Sequence, residues 1–254
     1  MRKLLGYILT PVAAIAFYAL LIIFQVIQWV CYRFFGYAAH KWSVDTLNYG
    51  LFCTYYIVFD PVKFINKQDL PTNRPIIFIA NHQSLFDIPP LIYFLRKHHP
   101  KFISKIELTK GIPSISYNLK VGGGANIDRN DSRQAITELA KFGVRMKENN
   151  WSAVIFPEGT RSKDGKVKPF LVPGVGTLLK KCPDALLVPI AIHDSWKMIR
   201  YGYYPLNTFV PMTWKVLEPI EPGKRPSEEL VLECENRIRV ELGQPERVAE
   251  VKVD

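Results

Sequence analysis

The first 60 residues and the rest of the chain follow different hydrophobic patterns. From Leu4 to Val30 no charged side chain occurs, and only Thr10, Gln25 and Gln28 are clearly polar, with Arg2 and Lys3 in front. A stretch of that length and composition is long enough to meet a bilayer. It also runs past the usual length of a secretory signal and ends without a small-residue cleavage site, which favours a retained anchor over cleavage. Thr10-Pro11 reads as a helix start, Thr as the cap and Pro in the first turn. A second apolar segment, 47–59, would rise only about 20 Å as a helix against a hydrocarbon layer of about 30 Å. The economical arrangement is a helical pair dipping into one leaflet, with Tyr and Trp near the headgroups and Arg33, Lys41, Lys63 and Lys67 near lipid phosphates. A single span followed by a buried helix is the alternative.

After Pro61 the pattern becomes short β-rich runs alternating with amphipathic stretches. Strands are expected over 75–80, 102–104, 124–127, 153–156, 186–192 and 213–217. Helices are expected over 88–97, 107–119, 132–147, 174–181 and 227–242. In the third of these Ile136, Leu139, Ala140, Gly143 and Met146 share a face, and Asp131 or Ser132 can cap it. The alternation predicts an α/β fold with a mostly parallel or mixed central sheet flanked by helices, functional loops at strand ends, and an N-terminal membrane-associated helical pair. The expected division is 1–60 as anchor and 61–254 as one catalytic domain. No repeat or flexible linker divides the 254 residues further.

Composition narrows the partners. A net charge of +10, from 33 Lys plus Arg against 23 Asp plus Glu, favours an anionic surface. The apolar N-terminus selects phospholipid over nucleic acid. Cys31, Cys53, Cys182 and Cys234 have no metal-type pairing and read as reduced thiols, and the five histidines form no ligand cluster, so neither a structural nor a catalytic zinc is expected. No complete Gly-x-Gly-x-x-Gly fingerprint and no Gly-x-Ser-x-Gly elbow occurs, which argues against a bound dinucleotide and against a serine acyl-enzyme. His193, beside an expected buried strand and without a partner motif, reads as structural.

Two heptapeptides at strand ends carry the chemistry. Residues 81–87, Asn-His-Gln-Ser-Leu-Phe-Asp, offer a general base, His82, and an orienting acid, Asp87. The same residues form a capping-box-like start of a helix, and a spacing of five does not align along a continuous helix, so a turn must bring the two together. Residues 156–162, Phe-Pro-Glu-Gly-Thr-Arg-Ser, follow a second apolar run. They supply the planar fork of Arg161 and a close-approach position at Gly159, although 160–165 also fits a polar surface turn. A base with an anion clamp fits acyl transfer to an anionic alcohol.

These two segments resemble the first and third motifs of the glycerolipid acyltransferase family, and most closely its bacterial 1-acyl-sn-glycerol-3-phosphate acyltransferase type. Residues 124–129, Gly-Ala-Asn-Ile-Asp-Arg, look like the second motif, with Asn126 where an apolar or aromatic residue is more familiar. Residues 188–192, Val-Pro-Ile-Ala-Ile, look like the fourth. Order and spacing agree over roughly residues 75 to 195. The resemblance implies a His82–Asp87 base and an acyl thioester donor, coenzyme A or acyl carrier protein, with no other cofactor. It also implies lysophosphatidic acid as acceptor, phosphatidic acid as product, and a monotopic place on the cytoplasmic face of the inner membrane. It carries acceptor contacts onto Glu158, Gly159 and Arg161, with Arg129 and Lys105 as further candidates. Lys105 reads equally as a solvated lysine at a strand end. Glu158 either accepts a glycerol hydroxyl proton or holds Arg161. Another lysolipid acceptor, or a non-catalytic membrane lipid-binding protein, are the alternative readings.

Overall fold

The computed structural model describes residues 2–248 and contains a seven-stranded mixed sheet at its centre. In chain order the elements are α1 (Arg2–Val30), α2 (Gly36–Cys53), β1 (Val62–Ile65), β2 (Ile76–Ala80), α3 (Ile88–Phe94), β3 (Pro100–Lys105), α4 (Ile115–Val121) and β4 (Ala125–Ile127). They continue with α5 (Ser132–Asn149), β5 (Ser152–Ile155), α6 (Val172–Lys181), β6 (Leu186–His193), α7 (Ser195–Met198), β7 (Met212–Val216) and α8 (Ser227–Glu241). The strand order is β1-β7-β6-β2-β5-β3-β4, and every neighbouring pair is parallel except β6 with β7.

The central strand β2 explains the layering. All five of its residues are buried, because helices cover both faces of the sheet. Its alternate side chains enter opposite cores: Ile76, Phe78 and Ala80 join Phe52, Tyr55, Leu91 and Trp214, whereas Ile77 and Ile79 join Phe142, Leu178 and Val231. The first core therefore lies under the N-terminal helices and α3, and the second under α5, α6 and α8.

Several boundaries differ from the expectation for local reasons. The helix expected over 107–119 is broken into a tight turn, Ile106–Thr109, and α4, because Gly111 (φ 86°) and Pro113 intervene and Ser114 takes φ 60°. On α5, which Asp131 caps by accepting from the Gln134 N–H, Phe142 replaces Ile136 in the buried stripe. Ile136 is half exposed and lines the cavity described below. Strand β1 was not expected; its four residues at the sheet edge pair only with β7.

A correction concerns Thr10-Pro11. It does not start a helix: α1 runs through it from Arg2. Pro11 has no N–H for the Tyr7 carbonyl, and the Tyr204 hydroxyl reaches that carbonyl at 3.5 Å from outside the helix. Thr10 Oγ1 donates back to the Gly6 carbonyl at 2.6 Å and accepts from the Leu206 N–H at 2.9 Å. The carbonyl that the proline leaves open and the Thr10 hydroxyl beside it thus become a docking point for the 204–208 loop. Helices α1 and α2 are joined through a π-helical turn, Cys31–Phe35, and pack side by side. Leu4, Ile8, Ile15, Ile22, Val26 and Trp29 on α1 remain largely exposed, and α1 with α2 forms the one apolar helical stretch among the described residues long enough to cross a membrane.

Phe142→Ala should lower the free energy of unfolding by about 3–5 kcal/mol, since the ring is fully buried between the sheet and α6. Denaturant midpoints of the purified variants check this.

Candidate active site

The sheet delivers both heptapeptides to one edge. Strands β2, β3 and β5 run parallel, so His82, Lys105 and Glu158 all follow or occupy carboxyl ends. Asn81 fixes the exit of β2 by imitating a backbone partner: Nδ2 donates to the Ile192 carbonyl at 2.9 Å, and Oδ1 accepts from the Ile192 N–H at 2.7 Å.

Beyond Asn81 the chain turns sharply. Ser84 is extended, its hydroxyl accepts from the Phe86 N–H, and a 3-10 turn at Leu85–Asp87 swings the carboxylate back toward the start of the motif. This closes the spacing of five: His82 Nδ1 lies 2.8 Å from Asp87 Oδ2. The same oxygen accepts from the N–H groups of Gln83 at 2.7 Å and Ser84 at 2.9 Å. Asp87 Oδ1 accepts from the hydroxyls of Ser84 and Ser195. Asp87 is fully buried, so each of these donors replaces a lost water. Capping and orientation of the imidazole are performed by one carboxylate. The imidazole stacks on Phe156, ring centroids 4.1 Å apart, with only an edge reaching the cavity.

Glu158 joins the two motifs. Its Oε1 accepts from the His82 N–H at 2.6 Å and its Oε2 from the Lys168 N–H at 3.0 Å. Neither oxygen bonds Arg161 directly; the two hydrogen bonds tie the loop after β5 to the loop after β2. The Ser162 N–H donates to the His82 carbonyl at 2.7 Å and reinforces that tie. Burial pushes the Glu158 carboxyl up to about 7, against the lowering by the two backbone N–H groups and the Lys168 charge, with Asp87 adding to the rise.

The cations gather beside this edge. Arg161 extends along the cavity rim and donates from Nη1 to the Tyr203 hydroxyl at 2.8 Å. Arg129 donates from Nη1 to the Gly159 carbonyl. Burial lowers the Arg129 guanidinium from its ordinary value, Glu107 opposes, and the neighbouring Arg161 charge lowers it further. Gly159 takes φ 68°, a conformation that favours glycine. Lys105 ends β3, is exposed and lines the same cavity. Among the described residues the ion pairs use other cations, leaving Arg129, Arg161 and Lys105 without a carboxylate. Such a cluster favours an anion in the cavity.

The cavity itself measures about 1280 Å³ and is mainly apolar. It passes from His82, Phe156 and the arginines to Phe17, Leu21, Leu47 and Leu51 of the N-terminal helices. All seven residues singled out in the sequence therefore belong to one region, five of them lining the cavity, with Asp87 bracing His82 and Glu158 bracing the loops from behind. Ser195 and Tyr203 were not foreseen; they lie more than 30 residues from either heptapeptide, and nothing in the local sequence marks them.

The sequence model of the Acyltransferase family matches residues 61–193, just over half of the chain. A chloroplastic 1-acyl-sn-glycerol-3-phosphate acyltransferase of Brassica napus is 32% identical over 136 residues, which cover 53% of this chain and 38% of that protein. A human 1-acyl-sn-glycerol-3-phosphate acyltransferase beta is 36% identical over 97 residues, 38% of this chain and 34% of its own length. The chain thus spans well under half the length of these relatives. Among solved structures, the 1-acyl-sn-glycerophosphate (LPA) acyltransferase PlsC from Thermotoga maritima superposes with a TM-score of 0.77 and 26% identity, over 98% of this chain and 100% of that one.

The raised Glu158 carboxyl carries a pH signature. Because the folded protein binds this proton more tightly than the unfolded chain, the stabilisation is complete below the ordinary value of 4.5 and is lost as pH rises through about 7. The loss amounts to about 3 kcal/mol. Glu158→Gln stays neutral throughout. Its amide sets an NH2 against one of the two backbone N–H groups, so its unfolding midpoint should lie below the parent's near pH 4.5, and that deficit should shrink progressively toward pH 7, as thermal denaturation across that range would read.

Proposed function

The chain belongs to the Acyltransferase family, and we propose that it moves a fatty acyl group from an acyl thioester to the sn-2 hydroxyl of 1-acyl-sn-glycerol 3-phosphate, giving phosphatidic acid. The observation that carries this reading is the His82–Asp87 pair at the mouth of a mainly apolar cavity whose rim holds two guanidinium groups without carboxylate partners. Relatives and the Thermotoga structure named for that reaction support it.

Asp87 accepts the Nδ1 proton of a neutral His82, which leaves the Nε2 lone pair for the acceptor. In the proposed step Nε2 takes the proton of the acceptor hydroxyl as its oxygen attacks the thioester carbonyl carbon. The tetrahedral intermediate then expels sulfur, and the imidazolium returns the proton to it, so that ester and free thiol leave. Asp87 steadies the transient imidazolium. Arg161, with Arg129 and Lys105, would hold the acceptor phosphate, and Gly159 lets the backbone approach it. The cavity beneath the N-terminal helices offers room for acyl chains. The thiol carrier, coenzyme A or acyl carrier protein, is part of the proposal and is to be read from the donor assay.

We place the protein on the cytoplasmic face of the inner membrane, held by α1 and α2 in one leaflet. The support is that both halves of α1 bond to the catalytic body: Thr10 to Leu206 near one end, and Leu21 and Gln25 to Ser114 toward the other. These bonds favour a helix that stays with the body over one that leaves it to cross a bilayer.

Purified protein given labelled acyl thioester and a panel of lysolipids should form phosphatidic acid; release of free fatty acid instead would mark a hydrolase. His82→Ala should lower kcat about 100-fold to 10,000-fold, and Arg161→Ala should chiefly raise KM for the phosphorylated acceptor. Full activity in His82→Ala would remove the assigned base. Protease protection of tags at the two termini should place both on the same side of the membrane.

A further inference from the structure

The loop after α7 touches both α1 and Arg161. Tyr203 sits on the cavity rim, half exposed, and its hydroxyl accepts from Arg161 Nη1 at 2.8 Å. That bond uses an oxygen lone pair and leaves the hydroxyl proton available; among the described residues it meets no acceptor. A hydroxyl held by a cation, with its own proton directed elsewhere, is a donor prepared for an anion. The Arg161 fork and this O–H together offer the mixed donor set that a phosphate monoester takes.

The loop is seated on the first turns of α1. Leu206 N–H donates to Thr10 Oγ1, the Tyr204 ring packs edge-on against Tyr7 with centroids 5.4 Å apart, and Thr208 Oγ1 donates to the Arg2 carbonyl at 3.2 Å. Lys3 Nζ lies over the Tyr201 ring at 5.2 Å. Contact is so close at Gly6 that an added Cβ would stand 2.2 Å from the Leu206 carbonyl oxygen. The helix and the loop can be in register only if residue 6 has no side chain. Four separate contacts on either side of Tyr203 therefore fix where its hydroxyl points, and all four come from α1.

We propose that Tyr203 is a binding residue for the acceptor phosphate, donating its hydroxyl proton beside Arg161, and that the opening turns of α1 hold it in place. This rests on the acceptor assignment above and adds a residue to it, together with a physical link from the membrane-facing helix to the recognition of the headgroup.

The test is equilibrium binding of 1-acyl-sn-glycerol 3-phosphate, and of 1-acylglycerol lacking the phosphate, to the purified full chain in nanodiscs. Tyr203→Phe keeps the ring and its packing and removes only the hydroxyl. It should weaken the phosphorylated lipid about tenfold or more and leave 1-acylglycerol within about twofold. In an Arg161→Ala background the same change should cost less, because the hydroxyl is then no longer oriented. Gly6→Ala should reproduce the selective loss through displacement of the loop. Equal effects of Tyr203→Phe on both lipids, or none, would overturn the role of Tyr203, and an unaltered binding ratio in Gly6→Ala would overturn that of α1. If the parent protein prefers the phosphorylated lipid yet transfers no acyl group, the reaction assignment falls and the binding assignment stands. Absence of that preference in the parent overturns both.

Discussion

The buried carboxylate of Asp87 is the constraint on which the site depends. A carboxylate withdrawn from water is costly unless its lone pairs are occupied. Five donors do this here: the imidazole, two backbone N–H groups and two hydroxyls. They come from the turn after β2 and from the first residue of α7, so charge satisfaction forces two distant segments into one geometry. The bond from Trp214 Nε1 to the Asp87 carbonyl at 3.2 Å adds β7 to the same assembly. An imidazole held through Nδ1 in such surroundings is fixed in tautomer as well as in direction, which is what a base presented to a hydroxyl requires.

Glu158 performs the complementary task between the heptapeptides. With both oxygens on backbone N–H groups, it sets the separation of His82 from the loop that carries Arg161. An amide in its place could accept from only one of the two backbones. Lys168, whose N–H Glu158 receives, returns its ammonium to the Arg161 carbonyl at 3.0 Å. Position of the clamp is therefore determined by main-chain bonds, and the exposed guanidinium of Arg161 is free to be directed by what lies on the far side, the loop of Tyr203.

What could be read from the sequence follows from the range of the interactions involved. Strand β2 and the two heptapeptides were legible because their signals are local: a continuous apolar run ending in a compact cluster of polar residues. The α/β layering followed from alternation, which left a mostly parallel and a mixed sheet both open until the antiparallel β6–β7 pair was seen. Strand β1 was not legible, since four residues with one pairing partner carry too little pattern, and its place was decided by β7 some 150 residues later. Thr10-Pro11 misled for a related reason. A cap and an internal proline look alike until the Tyr204 hydroxyl that reaches the freed Tyr7 carbonyl, and the Leu206 N–H bonded to Thr10, are in view. Ser195 and Tyr203 were invisible because their roles are conferred entirely by tertiary contacts.

The N-terminal helices combine two demands that oppose each other in most proteins. A face rich in Leu, Ile, Val and Trp is left exposed, and an undifferentiated apolar surface of that kind favours sliding and rotation in the proposed membrane setting. The opposite face must be held in register, because it walls the cavity and seats the 200–208 loop. Polar groups supply that register: Thr10, Gln25 with Ser114, and the carbonyl of Leu21. In a low-dielectric setting each of these bonds is expensive to leave unmade, and a shift of the helix by one residue would break all of them together. Thr10 and Gln25, two of the polar residues that interrupt the apolar run of α1, thus hold the helix as one wall of the cavity.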